Sequence, residues 1–301
     1  MKNCLYLFIA LFTSILMVSP ACAQSGKKFH EMNHQEIDRI IRQTSQLNLT
    51  ITGKINVLSE YFLGMPYNLT CVGDGPYALL EDWPLVNFNE TNCMAYCEHV
   101  LALAISDNWD NFFNNLQHIR YKDGLIGMKT RNHYTMADWL PENNWILRDV
   151  SAEVGGAYTR EVTRTISHLR FFQNKGMDDM TYVLPDRRLT LSYVPLSALA
   201  KVKDKTRTGD ILALLYADKE DIFSAHMLMI AEKDGKKMIR ESSNSKMSTF
   251  DTEYDLWVQE KLQQSPPKYL GLAFMRVRDE LNQPGKIIRP WEISTLKNRQ
   301  E

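Results

Sequence analysis

The sequence predicts an α+β fold built on one antiparallel sheet. Three observations carry this expectation. In the first part of the chain, apolar residues recur every three or four positions, as on the buried faces of helices. From about residue 181 the pattern changes to short runs rich in β-branched and apolar residues. Between two of these runs stands Asp234-Gly235, a hairpin turn signal that makes its flanking strands antiparallel neighbours. Helices first and strands later, rather than in alternation, is the order of an α+β domain.

The N-terminus reads as an address. Lys2 supplies positive charge, and Leu5 to Val18 is an apolar run too short to span a bilayer comfortably. Ala21-Cys22-Ala23 fits a small-x-small cleavage site. The expectation is a signal peptide over residues 1–23, cut after Ala23, and a single exported, periplasmic domain over 24–301. Cys22 offers a second reading as a lipid-bearing cysteine. Ser19 stands where a lipoprotein signal usually has an aliphatic residue, so soluble export ranks first. A net charge of −1 gives no basic excess for nucleic acid. Cleavage would leave Cys71, Cys93 and Cys97, an odd set with at least one free thiol.

In chain order, Ile37, Ile40 and Ile41, then Ile51, Ile55, Leu58, Tyr61 and Phe62, predict one or two helices. Leu63-Gly64-Met65-Pro66-Tyr67 ends them with turn chemistry, and Gly73-Asp74-Gly75-Pro76 marks a loop. Thr91-Asn92 is an N-cap signal ahead of Ala95, Tyr96, His99, Val100, Leu103 and Ala104, a periodic run that ends near Ser106. Trp109 to Ile119 predicts another helix, with Phe112, Phe113, Leu116 and Ile119 on one face. Residues 105–185 form a helical and loop insertion, and its 120–140 part is dense in aromatic and hydrogen-bonding side chains. The predicted strands are Thr190–Val194, Ile211–Tyr216, Ala225–Ala231, Lys237–Glu241 and Leu270–Arg276.

This layout puts Cys93 in the first turn of a buried helix. Free backbone N–H groups and the helix dipole there favour a negative charge, and the thiolate is the reactive form of cysteine. The plainer reading is a small packed hydrophobe, the usual fate of cysteine. Cys97 falls one turn later, where packing is the expected role. Two cysteines without a matching Cys/His pair make no zinc site, and no metal or organic cofactor is indicated. A nucleophilic cysteine needs a base. His133, in the aromatic loop, and His226, at the start of a strand, both remain candidates, with spacing mildly favouring His226.

Seven stretches carry a family resemblance between about residues 60 and 278. They are Leu63–Tyr67, Asn92-Cys93 through Glu98, Ile119–Gly124, Arg131–Tyr134 with Asp138-Trp139, Leu191–Pro195, Gly209-Asp210-Ile211, and Ala225-His226. The chain resembles bacterial N-acetylmuramoyl-L-alanine amidases related to the NlpC/P60 cysteine peptidases. The resemblance implies a papain-like α+β core, with the nucleophile at a helix N-terminus and the base on the sheet. It implies cleavage of the amide between N-acetylmuramic acid and L-alanine in peptidoglycan fragments, the expected partners. No nucleic acid and no obligate protein partner are expected. Cys93 matches the nucleophile and His226 the base. Tyr67 matches a tyrosine that lines the site near the oxyanion. Asn132, His133 and Trp139, in the 120–140 segment, would contact sugar or stem peptide.

The chain departs from the family pattern at Asn92, Met94 and Ala95 around the cysteine, and at Met227-Leu228 after the histidine. The third catalytic member is the main departure. Alignment places Arg240 where the family has histidine, but an arginine has only donors and cannot orient His226 by accepting its N–H. A two-residue turn at Asp234-Gly235 pairs Lys233 with Lys236 and sets His226 opposite Ser243. Period two then puts Glu241 on the histidine's face and Arg240 on the other. Glu241 is assigned because the role needs an acceptor, and Arg240 is left as a substrate-binding candidate. Two alternatives stand beside the amidase: an endopeptidase cutting within the stem, and a muropeptide-binding protein that has lost turnover.

Overall fold

The computed structural model describes residues 26–299. The expected signal peptide and Cys22 lie outside the described residues. The first helices are α1, His34–Ser45, and α2, Ile51–Glu60. Asn33 and Thr50 cap them by accepting the backbone N–H of Glu36 and Gly53. α3 is Cys93–Ala104 and α4 is Trp109–Arg120, as their periodicity requires. α3 is buried continuously from Ala95 to Ala104, so it is a central helix rather than an amphipathic one.

Eight strands follow: β1, Leu147–Asp149; β2, Arg160–Ile166; β3, Arg187–Pro195; β4, Ile211–Tyr216; β5, Ser224–Lys233; β6, Lys236–Ser243; β7, Ser248–Glu253; and β8, Tyr269–Val277. They form one sheet in the order β2-β3-β8-β4-β5-β6-β7, with β1 also on β8. Every pairing is antiparallel. The α+β expectation therefore holds. β1 and β2 lie inside the stretch expected to be helix and loop. β2 has one fully buried residue, Ile166, so its sequence lacks the apolar alternation that would have marked it. β7 and the helix Tyr254–Leu262 also went unpredicted.

The sheet is covered on both faces, and β4 shows it by period two. Ile211, Ala213 and Leu215 enter the main core with α2, α3 and α4, while Leu212 and Leu214 enter a second core with Leu199, Tyr254 and Trp257. Gly271 is where β3 meets β8; a side chain there would run into the backbone of Val194. In the β5–β6 hairpin, Asp234 and Gly235 have φ of 52° and 71°, and Lys233 pairs with Lys236. Both central residues are left-handed, which matches the strand twist.

Candidate active site

The site begins with the cap of α3. The Asn92 side chain accepts the Ala95 N–H at 2.8 Å, which leaves Cys93 as the first helical residue. A first-turn N–H has no intrahelical acceptor, so this end of α3 presents donors to whatever lies in front of it. Pro66 and Tyr67 brace it from the side. The Tyr67 N–H donates to Met247 O at 3.0 Å, and the Thr91 N–H to Pro66 O at 2.9 Å. The turn sequence Leu63–Tyr67 thus extends the edge of the sheet next to the cysteine.

His226 comes from β5, just past a bulge that separates the Leu214–His226 and Leu215–Ser224 pairs. Its ring interacts with the Cys93 thiol. Its Nε2 lies 2.7 Å from Glu241 Oε2 on β6, so Nδ1 is the nitrogen left for sulfur. Glu241 is buried, and its other oxygen accepts the Trp257 indole N–H at 3.0 Å. Cysteine, histidine and carboxylate are therefore in line, with the carboxylate fixed by a second donor.

The electrostatics favour a charged pair. Burial opposes charge on the His226 ring, yet the bonds and charges of Cys93 and Glu241 outweigh it and raise the imidazole to about 10. Burial also opposes the thiolate. The His226 bond and charge, with the Met227 and Met94 N–H groups, outweigh it and hold the thiol below its ordinary range. Glu241 is likewise held below the usual carboxylate range, because its bond to His226 prevails over burial. The other cysteines behave oppositely. Burial drives Cys71 up to about 12 and Cys97 well above an ordinary thiol.

Tyr67 is close enough for the Cys93 charge to act on it. Burial first, and that charge second, raise its phenol, so it stays a proton donor. A cavity of about 380 Å³ opens in front of Cys93, lined also by Asn132, His133, Arg131, Lys175 and Trp83. The Asn132 amide donates to Ile119 O at 3.2 Å, which makes it a wall fixed from behind. His133 bonds Met128 O at 2.7 Å, and its ring centre lies 4.3 Å from that of Phe171 at a tilt of 42°. Burial drives its ring down to about 4, so it stays neutral and is a poor base near neutrality.

Two expected contacts are corrected. Trp139 does not reach the cavity. It ends the π-helical turn Thr135–Trp139 and is fully buried in the main core, with 0% exposure. Arg240 points away from His226. Period two puts it on the opposite face, where it pairs with Asp251 at 2.7 Å and donates to Ser59 Oγ at 2.8 Å. Glu241, in step with Ile239, faces Trp257. Trp257 itself was missed, since no local motif links it to the site. Asp138, read as a cap or turn residue, does accept the Tyr134 N–H at 3.1 Å. It also pairs with His168 at 2.8 Å and Arg187 at 2.6 Å.

Comparison with known proteins agrees with this architecture. The family model described as AmiA-like, N-acetylmuramoyl-L-alanine amidase-like, matches residues 57–263. A Legionella pneumophila protein of the DUF1460 family superposes with a TM-score of 0.73 at 18% identity, covering 85% of this chain and 96% of that one. An N-acetylmuramoyl-L-alanine amidase from Bacteroides uniformis superposes at 0.60 with 23% identity, over 76% of this chain and 99% of that one. No curated protein matches the chain. The structural likenesses show a shared fold. The matched residues cover most of the chain, which belongs to the N-acetylmuramoyl-L-alanine amidase-like family.

Proposed function

We propose that this protein is an exported cysteine hydrolase with a papain-like core of the NlpC/P60 kind. It cleaves the amide between N-acetylmuramic acid and L-alanine in peptidoglycan fragments. One observation carries the mechanism: a thiol at the start of α3 that interacts with a histidine whose Nε2 meets a buried glutamate at 2.7 Å. Family membership directs that mechanism to the muramoyl amide.

The resting pair is thiolate and imidazolium. Cys93 sulfur attacks the carbonyl carbon, and the carbonyl electrons move to oxygen. The Cys93 N–H at the helix start and the Tyr67 hydroxyl are the donors for that oxyanion. As the C–N bond breaks, His226 gives its proton to the leaving amine. A thioester remains. Water then attacks with His226 as base, the carbon–sulfur bond breaks, and the thiolate returns. Glu241 holds one imidazole tautomer and stabilises its cation, while Trp257 fixes the carboxylate.

The Arg240 departure is compatible with an active enzyme on this reading. Arg240 is engaged elsewhere, and Glu241 supplies the acceptor the third position needs. Export and a periplasmic location rest on the Leu5–Val18 run and the Ala21-Cys22-Ala23 site. A mature N-terminus at Gln24 would support them, and a lipid on Cys22 would point to anchoring.

The test is mass analysis of products from an N-acetylmuramoyl-L-alanyl peptide. The expected products are free N-acetylmuramic acid and an intact stem. A cut stem would move the activity to an endopeptidase. Equal turnover by wild type and Cys93→Ala would overturn the mechanism.

A further inference from the structure

Three charged residues from separate segments meet in the Cys93 cavity: Glu81 from a surface loop, Arg131 from the segment after α4, and Lys175 at the end of the helix His168–Asn174. Glu81 Oε2 bonds the Arg131 guanidinium, and its Oε1 bonds the Lys175 ammonium at 2.7 Å. We propose that Arg131 and Lys175 form a carboxylate subsite, which Glu81 occupies until a substrate carboxylate displaces it. This rests on the amidase reading and names the chemistry of its substrate: a muropeptide stem with a free carboxylate.

The cations are held independently of Glu81. The Arg131 guanidinium lies 5.9 Å over the Tyr121 ring, and its Nε is 3.7 Å from Asp74. The Tyr121 hydroxyl fixes that carboxylate at 2.8 Å. The Lys175 ammonium sits 5.8 Å over the Phe171 ring. Both cations are thus placed before any ligand arrives, and an arginine fork suits a carboxylate.

Arg120 also lines the cavity. Its Nε is paired with Glu98 at 2.8 Å, but its Nη2 is buried without a partner. An unmet donor on a buried guanidinium adds to the pull on an anion.

Glu81 arrives on a different kind of support. Its loop is closed at the base by Gly73 N–H to Pro84 O and Gly75 N–H to Trp83 O, both at 3.0 Å. At the tip, Tyr77 and Leu79 are 97% and 99% exposed. The Asp74 N–H also donates to Glu81 O at 2.7 Å, so the exchange is a rotation of the Glu81 side chain about a held backbone. Exchanging Glu81 for a ligand carboxylate conserves the charge-assisted bonds, and the unmet Arg120 donor tips the exchange toward the ligand. The sugar cannot supply that carboxylate, because its lactyl carboxyl is consumed in the scissile amide. The stem peptide must.

The experiment measures binding of an N-acetylmuramoyl-tripeptide with free stem carboxylates, and of its fully amidated form, to the full-length Cys93→Ala protein by calorimetry. The free acid should bind about tenfold tighter or better. Lys175→Met, at a surface position, and Arg131→Met should each shrink that preference. Glu81→Gln should enlarge it, by removing the internal competitor. Equal affinity for acid and amide would overturn the subsite. So would a Glu81→Gln protein that loses affinity for both. Turnover by wild type is scored separately: hydrolysis of both forms without preference sinks the subsite and keeps the amidase. Acid-selective binding without hydrolysis does the reverse.

Discussion

Among the described residues, two histidine–carboxylate pairs are built almost alike. His226 Nε2 meets Glu241 at 2.7 Å, and His168 Nε2 meets Asp138 at 2.8 Å. Each carboxylate has a second strong donor, Trp257 for Glu241 and Arg187 for Asp138. The difference lies at the other ring nitrogen. His226 turns it to a thiol at a helix start, whereas His168 Nδ1 is buried with no partner among the described residues. Asp138 also takes the Tyr134 N–H, so its cluster ties the turn Thr135–Trp139 to β3 and to the helix His168–Asn174. On the proposed mechanism the first pair moves a proton, whereas the second holds three segments together. An oriented imidazole becomes a base only when a nucleophile is presented to it.

The sharpest test of the contrast removes the nucleophile. Cys93→Ala should lower turnover of an N-acetylmuramoyl-L-alanyl peptide by about 10⁴-fold or more. Cys97→Ala, one turn along the same helix, should keep turnover, because Cys97 is a packed core thiol. Comparable losses in the two variants would erase the distinction.

Next come the histidines, read by alkylation of Cys93 against pH with peptide mapping. The lowered thiol and the raised imidazole both favour the charged pair. Reactivity should therefore rise well below the ordinary thiol range and stay level until His226 deprotonates near 10. Cys71 and Cys97 should stay silent across that window. His226→Ala should move the rise upward toward a free thiol, and His168→Ala should leave it in place. A matching shift in both would mean the site is not specifically poised.

The carboxylates should separate activity from stability. Glu241→Gln should cost about 10²- to 10⁴-fold in kcat, since it weakens the acid–base group. Asp138→Asn should instead cost about 3 kcal/mol of stability, as expected for breaking a buried ion cluster. Burial opposes charge on Asp138, but His168, Arg187 and the Tyr134 N–H outweigh it and lower its carboxyl. A lowered carboxylate stabilises the fold above its unfolded value, and that contribution fades as pH falls through the folded value. The melting-temperature gap between wild type and Asp138→Asn should therefore close on acidification. A gap that widened toward acid would contradict the assignment.

Trp257→Phe should have the smallest effect. It keeps the ring and removes one hydrogen bond to a charged group, which corresponds to at most about tenfold in kcat. A loss as large as that of Glu241→Gln would mean that the indole does more than fix the carboxylate.

Much of this was legible along the chain. The N-cap at Asn92 placed Cys93 at a helix start, and the Asp234-Gly235 turn fixed a register that separated Glu241 from Arg240. Both are local: a cap acts over one turn of helix, and a hairpin counts residues outward from its own bend. The same reasoning misplaced Trp139, because the single π-helical turn Thr135–Trp139 turns its side chains off the α-helical period. It missed β2, whose exposed, charged residues hide the alternation that marks a half-buried strand.

By itself, then, the sequence determined the α+β order, the helix that presents Cys93 and the strand that carries His226. Only the tertiary structure decided what those groups face. Trp257 lies 16 residues beyond Glu241 on a separate helix, and Lys175 lies 94 residues from Glu81. No periodicity or turn rule reaches across such separations. Only the packing of separate segments against one another set each pair in contact.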